Sequence, residues 1–332
     1  MAQYSLEIDL DSAAANLCEY IIGNYSPTNV VAFTHSTLLD LLALLVNKHS
    51  ALCSKSDPEA VKKLLQILDY VPEAAESNGM DRIQQTRNKI RILATITQAA
   101  SLAGNKHAIP LLQALLSGIS APEMQGICSA QAIHAIFSPS TILDPKNHCI
   151  IRAISKQKMY SVCLSFILEH YAQTKDDKIK SNYLVALGGV LKNVKGEMIM
   201  PDIDRVLPLL LESITSGSEE SKLASLDVLR IASIESSTAV EAHVSGIVKR
   251  LLSCMDRKPD GKFKCRGDTR TKALEALGVL PKCLRLQVVL PHKKTVVKVL
   301  RDSSEDPSRK VREAVVNCQM VWWKLASGED DD

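Results

Sequence analysis

The stretch Leu290–Leu325, LPHKKTVVKVLRDSSEDPSRKVREAVVNCQMVWWKL, reads as two helices joined by a tight turn. The first helix spans about Pro291 to Arg301, and Ser303 to Asp306 form the turn. Asp306 is expected as the N-cap of the second helix. Pro307 would then take the first helical position, where its missing N–H costs nothing. Val311, Ala314, Val315, Cys318, Trp322 and Leu325 follow at the spacing of one buried helical face. A helical hairpin alone leaves that face uncovered, so the unit needs neighbours.

The chain supplies them upstream. Helical periodicity begins in Ile8–Asn24 and returns in Phe33–Leu52. Asp57-Pro58-Glu59 starts a further helix, and others are expected over Asp81–Leu102, Ala108–Leu116 and from Ala121-Pro122 through Phe137. Ser138 to His148 is the most irregular stretch. Met159–Tyr171 and Ile179–Leu191 then pair, and Gly188-Gly189 reads as a point of close helix packing. Ile203, Val206, Leu207, Leu210, Leu211 and Ile214 define another first helix, with Leu223, Leu226, Leu229 and Ile234 on its second. The next unit runs from Val240 to Met255 and resumes at Ala273, Leu274 and Leu277, with 256–268 as an inserted loop. Arg270 and Arg312 open the second helices of the last two units. Two-helix units recurring every ~40–50 residues mark HEAT/armadillo-type solenoids. The expected fold is all-α, a HEAT-repeat α-solenoid of about six or seven helix pairs. Its expected organisation is N-terminal helical repeats over 1–138, C-terminal repeats over 139–327 and an acidic disordered tail over 328–332.

Composition agrees with aliphatic packing, at 46% apolar residues but only 4% aromatic. No apolar run approaches the ~18 residues of a membrane span, and the N-terminus lacks a signal-peptide layout. Nine scattered cysteines without a CxxC read as reduced thiols, the closest pair being Cys254 and Cys265. Charge is uneven. Residues 240–325 hold 19 Lys/Arg against 9 Asp/Glu, a balance of +10, while the remainder holds 21 against 28. Such asymmetry bears on partners rather than on fold.

Chemistry is not expected. His134, His148, Cys149 and Cys163 do not form a ligand pattern, and neither a GxSxG elbow nor a phosphate loop occurs. No catalytic residue, cofactor or metal is assigned. The loop 256–268 carries Arg257, Lys258, Lys262, Lys264 and Arg266, but acidic residues interleave and only Phe263 could stack on a base. A solvated loop and a partner-docking loop both fit it. On the last helix, Arg309, Arg312, Val316, Gln319, Met320 and Trp323 lie nearly opposite the core face. A terminal repeat should be polar outside. Trp and Met among arginines are instead the composition of an interface hot spot. Met320 and Trp323 could alternatively fold back as a cap. The candidate partner-binding residues are Lys293, Lys294, Arg309, Arg312, Val316, Met320 and Trp323, with Lys298 adding nearby charge.

Lys180-Ser-Asn-Tyr-Leu-Val-Ala-Leu187, Leu207-Pro-Leu-Leu-Leu-Glu212, Leu290-Pro-His-Lys-Lys294 and Val311-Arg-Glu-Ala-Val315 with Trp322 occur in an order that resembles the C-terminal end of the MMS-nineteen nucleotide excision repair protein family. The resemblance covers the chain from about Cys149 onward. It implies a non-catalytic HEAT-repeat adaptor, the targeting subunit of the cytosolic iron–sulfur protein assembly machinery. The implied partners are a core targeting complex, made of a small cluster-transfer subunit and a WD40 propeller, and apo iron–sulfur clients such as DNA replication and repair enzymes. It further implies a C-terminal piece of a longer protein, placed in cytoplasm and nucleus. A HEAT-repeat nucleic-acid or transcription/repair-factor scaffold is the alternative, although direct nucleic-acid contact is not expected.

Overall fold

The computed structural model describes residues 32–48, 79–121 and 123–325, so the expected helix Ile8–Asn24, the Asp57 start and the acidic tail lie outside the described residues. The described residues form two compact units, one ending at Asn193 and the other beginning at Val194. The irregular stretch 138–148 lies within the first. The chain is all-α, a stack of helix pairs, and its single antiparallel bridge among the described residues joins Arg257 and Phe263.

In the first unit, α1 (Ala32–Lys48), α2 (Gly79–Ala103), α3 (Ala108–Ser117), α4 (Glu123–Phe137), α5 (Ala153–Gln173) and α6 (Asp177–Asn193) follow the periodicity of the sequence. α5 starts six residues earlier than Met159. Asn47, fully buried near the end of α1, joins three segments. Its amide donates to the Ala99 and Ile150 carbonyls at 3.2 and 3.0 Å and accepts from the Ile150 N–H at 2.7 Å. α4 and α6 touch at Gly189, where a Cβ would sit 2.6 Å from that of His134, so only glycine allows the approach. The close-packing reading holds at Gly189.

The second unit shows the repeat openly. Each first helix has a one-turn lead-in. α7 (Gly196–Ile199) precedes α8 (Ile203–Ser216), α10 (Ser237–Glu241) precedes α11 (Val244–Ser253), and α13 (Leu286–Val289) precedes α14 (Lys293–Asp302). The second helices are α9 (Glu219–Glu235), α12 (Gly267–Cys283) and α15 (Arg309–Trp323). Leu207, Leu210, Leu229, Ile247, Leu277, Leu300, Val311 and Val315 are buried between them. Each contributes roughly 1.5–3 kcal/mol by leaving water.

Polar cross-links set the repeats against one another. Glu219 Oε2 accepts from the Thr269 hydroxyl at 2.6 Å and from the Arg266 N–H at 3.2 Å. Glu241 accepts from the Arg285 N–H and Nε, both at 2.8 Å. The most buried link corrects the sequence reading. Asp306 is not the N-cap of α15; that place falls two residues later, at Ser308, and the helix begins at Arg309. Its carboxylate turns inward and takes Arg270 Nε at 3.0 Å and Nη2 at 2.9 Å, with the two side chains 1% and 6% exposed. Oδ1 also accepts the Ser308 N–H at 2.8 Å, which shapes the turn locally. Arg270 Nη1 donates to the Cys265 carbonyl at 2.7 Å. A charge this deep in the protein holds only while its partner is present.

Asp306→Ala is therefore expected to cost the second unit about 3–5 kcal/mol, because it strands a buried guanidinium. Arg270→Met combined with Asp306→Leu should recover most of that loss. Denaturant unfolding followed by tryptophan fluorescence checks both, since Trp322 and Trp323 are the only tryptophans and lie in this unit.

Candidate interaction surface

α15 carries both the core stripe and the candidate surface. Two adjacent tryptophans are separated by one helical step of 100°. Trp322 is fully buried, together with Val311, Ala314, Val315 and Cys318, while Trp323 is 52% exposed. The indole N–H of Trp322 donates to the Leu277 carbonyl at 3.0 Å. That carbonyl would normally accept from residue 281, four positions on, but Pro281 stands there inside α12 and has no N–H. The last helix thus completes a hydrogen bond that the preceding one cannot make.

On the opposite side, Val316 (53%), Met320 (52%) and Trp323 are exposed in one line. Met320 and Trp323 do not fold back as a cap. Arg309 stands in solvent and its Nε pairs with Glu313 at 3.1 Å. Arg312 is held locally, its Nη1 donating to the Asp306 and Pro307 carbonyls at 2.7 and 3.2 Å. Lys293, half-buried, donates from Nζ to the Leu325 carbonyl at 2.5 Å, placing an ammonium against the C-terminal end of α15. Lys294 and Lys298 are exposed on α14. The seven candidates therefore lie along one terminal hairpin: the arginines at the start of α15, the apolar residues along it, and Lys293 beside its far end. Leu286 and Leu290, exposed in the lead-in turn of the same repeat, were not singled out from sequence. Their only signal was the Leu290-Pro291 break.

The inserted loop is ordered as a small hairpin. Phe263, bridged to Arg257, has the Arg257 guanidinium 4.2 Å and that of Arg270 3.8 Å from its ring centre. Its one aromatic is thereby committed within the chain. An open groove of about 600 Å³ runs across α9, α12 and α15, lined by Arg230, Lys272, Gly278, Lys282, Lys310 and Asn317 among others. Sequence reasoning missed it, because it forms from three helices far apart along the chain.

The residues considered for chemistry are dispersed. His134 packs on α6 with Nδ1 3.2 Å from the Ser138 hydroxyl, and burial, ahead of the Lys192 charge, lowers its pKa. Cys163 is fully buried, which pushes its thiol up. Cys149 Sγ lies 3.7 Å from the Ile142 carbonyl. Among the described residues no three His, Cys, Asp or Glu side chains gather where a metal could bind, and no helix is long and apolar enough to cross a membrane.

Fold and surface define the class: a helical-repeat scaffold of the armadillo/HEAT kind. A designed armadillo repeat protein superposes with a TM-score of 0.51 at 13% identity, covering 79% of this chain and 99% of that one. An engineered protein reaches 0.53 at 14% identity, covering 94% and 68%. The profile described as "RNAPII transcription regulator C-terminal", MMS19_C, matches residues 3–281, and the chain belongs to that family.

Its curated relatives carry names of the same kind. The human "MMS19 nucleotide excision repair protein homolog" is 25% identical over 296 residues, covering 89% of this chain and 27% of the relative. The Schizosaccharomyces pombe "DNA repair/transcription protein mms19" is 24% identical over 305 residues, covering 89% and 28%. The Dictyostelium discoideum "MMS19 nucleotide excision repair protein homolog" is 23% identical over 237 residues, covering 69% and 21%. The chain thus spans about a quarter of the length of the first two.

Trp322→Phe is expected to lose about 1–3 kcal/mol by orphaning the Leu277 carbonyl. Adding Pro281→Ala, which restores an N–H, should return part of it. Trp323→Ala should stay within about 0.5 kcal/mol of the parent. Equilibrium unfolding of the four proteins, followed by circular dichroism, tests this.

Proposed function

We propose that this chain is a non-catalytic adaptor of the cytosolic iron–sulfur protein assembly targeting complex. Its terminal hairpin docks the core targeting subunits, a small cluster-transfer subunit and a WD40 propeller, so that clusters reach apo client proteins of DNA replication and repair. The observation that carries the reading is the exposed Val316, Met320 and Trp323 line on α15. Large apolar side chains normally leave water, and among the described residues nothing covers this line. An exposed Trp flanked by Met and Arg supplies anchor area with a charged rim. The partner is taken from the sequence resemblance. Catalysis has no place in this reading, and the adaptor works in both cytoplasm and nucleus.

Within the surface the roles divide. Trp323, Met320 and Val316 are the anchors. Lys294, exposed on α14, and Arg309, in an exposed pair with Glu313, steer association and give it salt dependence. Arg312 and Lys293 contribute mainly by holding the turn and the end of α15.

A repair or transcription scaffold that touches nucleic acid is the second reading. It is favoured by the names its relatives carry and by the +10 balance of residues 240–325.

Capture of the purified core complex on the immobilised chain separates the two. The parent chain should bind. Met320→Ala with Trp323→Ala should weaken capture at least about 30-fold, the loss of one hot spot of about 2 kcal/mol or more. The unfolding midpoint should barely move. A parent chain that ignores the complex yet binds duplex DNA with a steep salt dependence would instead establish the second reading.

A further inference from the structure

The described cysteines are free thiols, and two of them meet at the root of the inserted hairpin. The Lys264 N–H donates to the Asp256 carbonyl at 2.9 Å, the Lys258 N–H to the Lys262 carbonyl at 2.7 Å, and Arg257 bridges Phe263. Gly261 turns the tip in the left-handed region at φ +79°. This pairing brings the segments before 256 and after 264 together, which is where Cys254 and Cys265 stand. The hairpin register sets them side by side, near enough that each thiol shifts the ionisation of the other. Both are buried, Cys254 almost completely and Cys265 slightly less.

A third group gives the pair its direction. Lys222, from α9 of the preceding repeat, places Nζ 3.7 Å from Cys265 Sγ. That ammonium is itself mostly buried, with Glu219 3.8 Å away on its other side. The neighbouring Cys254 thiol and the Lys222 charge lower the Cys265 pKa against the opposing effects of burial and Glu219, while that of Cys254 rises. The Cys254 thiol donates its proton to the Arg250 carbonyl at 3.5 Å. The two sulfurs are thus unequal, one stabilised as thiolate beside a cation and one kept as thiol next to it.

We propose that Cys254 and Cys265 are a peroxide-responsive dithiol that closes to an intramolecular disulfide across the root of the 256–264 hairpin. The oxidant is hydrogen peroxide. Cys265 thiolate attacks one peroxide oxygen and the O–O bond breaks, leaving a sulfenic acid on Cys265 and hydroxide, which takes a proton to become water. Cys254 gives up its proton and attacks the Cys265 sulfur, and the S–O bond breaks to release a second water. Two thiols lose two electrons and one peroxide becomes two waters. The Cys265 carbonyl already holds Arg270, so the new bond staples the basic hairpin to the buried pair that positions the last repeat.

The test uses the whole chain, reduced and titrated with hydrogen peroxide, then blocked with N-ethylmaleimide and mapped by mass spectrometry. A Cys254–Cys265 cross-linked peptide should appear while the more exposed Cys149 and Cys283 still alkylate. In Cys254→Ser, dimedone should trap a sulfenic acid at Cys265. Lys222→Met should slow oxidation of Cys265 severalfold, with the unfolding transition of each variant showing that the repeat is intact. Earlier oxidation of Cys149 or Cys283, or a Cys265 sulfenic acid that persists in the parent chain without a cross-link, would overturn the proposal.

Discussion

A stack of helix pairs has no sheet to fix its register, so each repeat must be held to the next by side chains. In the second unit the deepest of these ties is the Arg270–Asp306 pair. Removing two charges from water is costly, and attraction between them offsets the cost only with near-ideal geometry and further hydrogen bonds. Both conditions are met. The guanidinium is bidentate on the carboxylate, donates its remaining Nη1 to the Cys265 carbonyl and rests on the Phe263 ring. Lysine, a point charge, could not make this set of contacts. One side chain on α12 therefore locates the inserted hairpin, the second helix of its own repeat and the turn of the next.

The position of that turn decides what α15 presents. With Asp306 drawn inward, α15 starts at Arg309, and its rotation puts Trp322 against α12 and Trp323 in solvent. Trp322 also repairs the hydrogen-bond gap left by Pro281, which fixes the helix along its axis as well as around it. A surface stripe on a helix held at both levels is preorganised, and little ordering entropy opposes its use in binding. The functional reading thus rests on a rigid element rather than on a pocket with converging chemistry.

The first unit is built by the same means but with different residues. Asn47 ties α1 to α2 and to the segment before α5, and Gly189 lets α6 lie against α4. A buried amide and a missing Cβ achieve there what an ion pair achieves in the second unit. The unevenness of basic charge along the sequence consequently has little to do with folding. It concentrates where the exposed lysines and arginines of the last repeats stand.

Local periodicity determined the all-α class, nearly every described helix and the division of α15 into a buried and an exposed face, because a 3.6-residue period is a property of consecutive side chains. The glycine contact at Gly189 was legible for the same reason, as an unlikely residue within a helical pattern. Asp306 was misread. Next to Pro307 it has the local features of an N-cap, and its partner lies 36 residues away on another helix. The Lys222–Cys265 contact, the Pro281–Trp322 compensation and the groove over α9, α12 and α15 were likewise invisible, since each joins residues from different repeats. The chain by itself determined which faces are apolar. Only tertiary packing decided which polar groups meet, because a buried charge or carbonyl takes the partner that folding brings to it, whatever its distance in sequence.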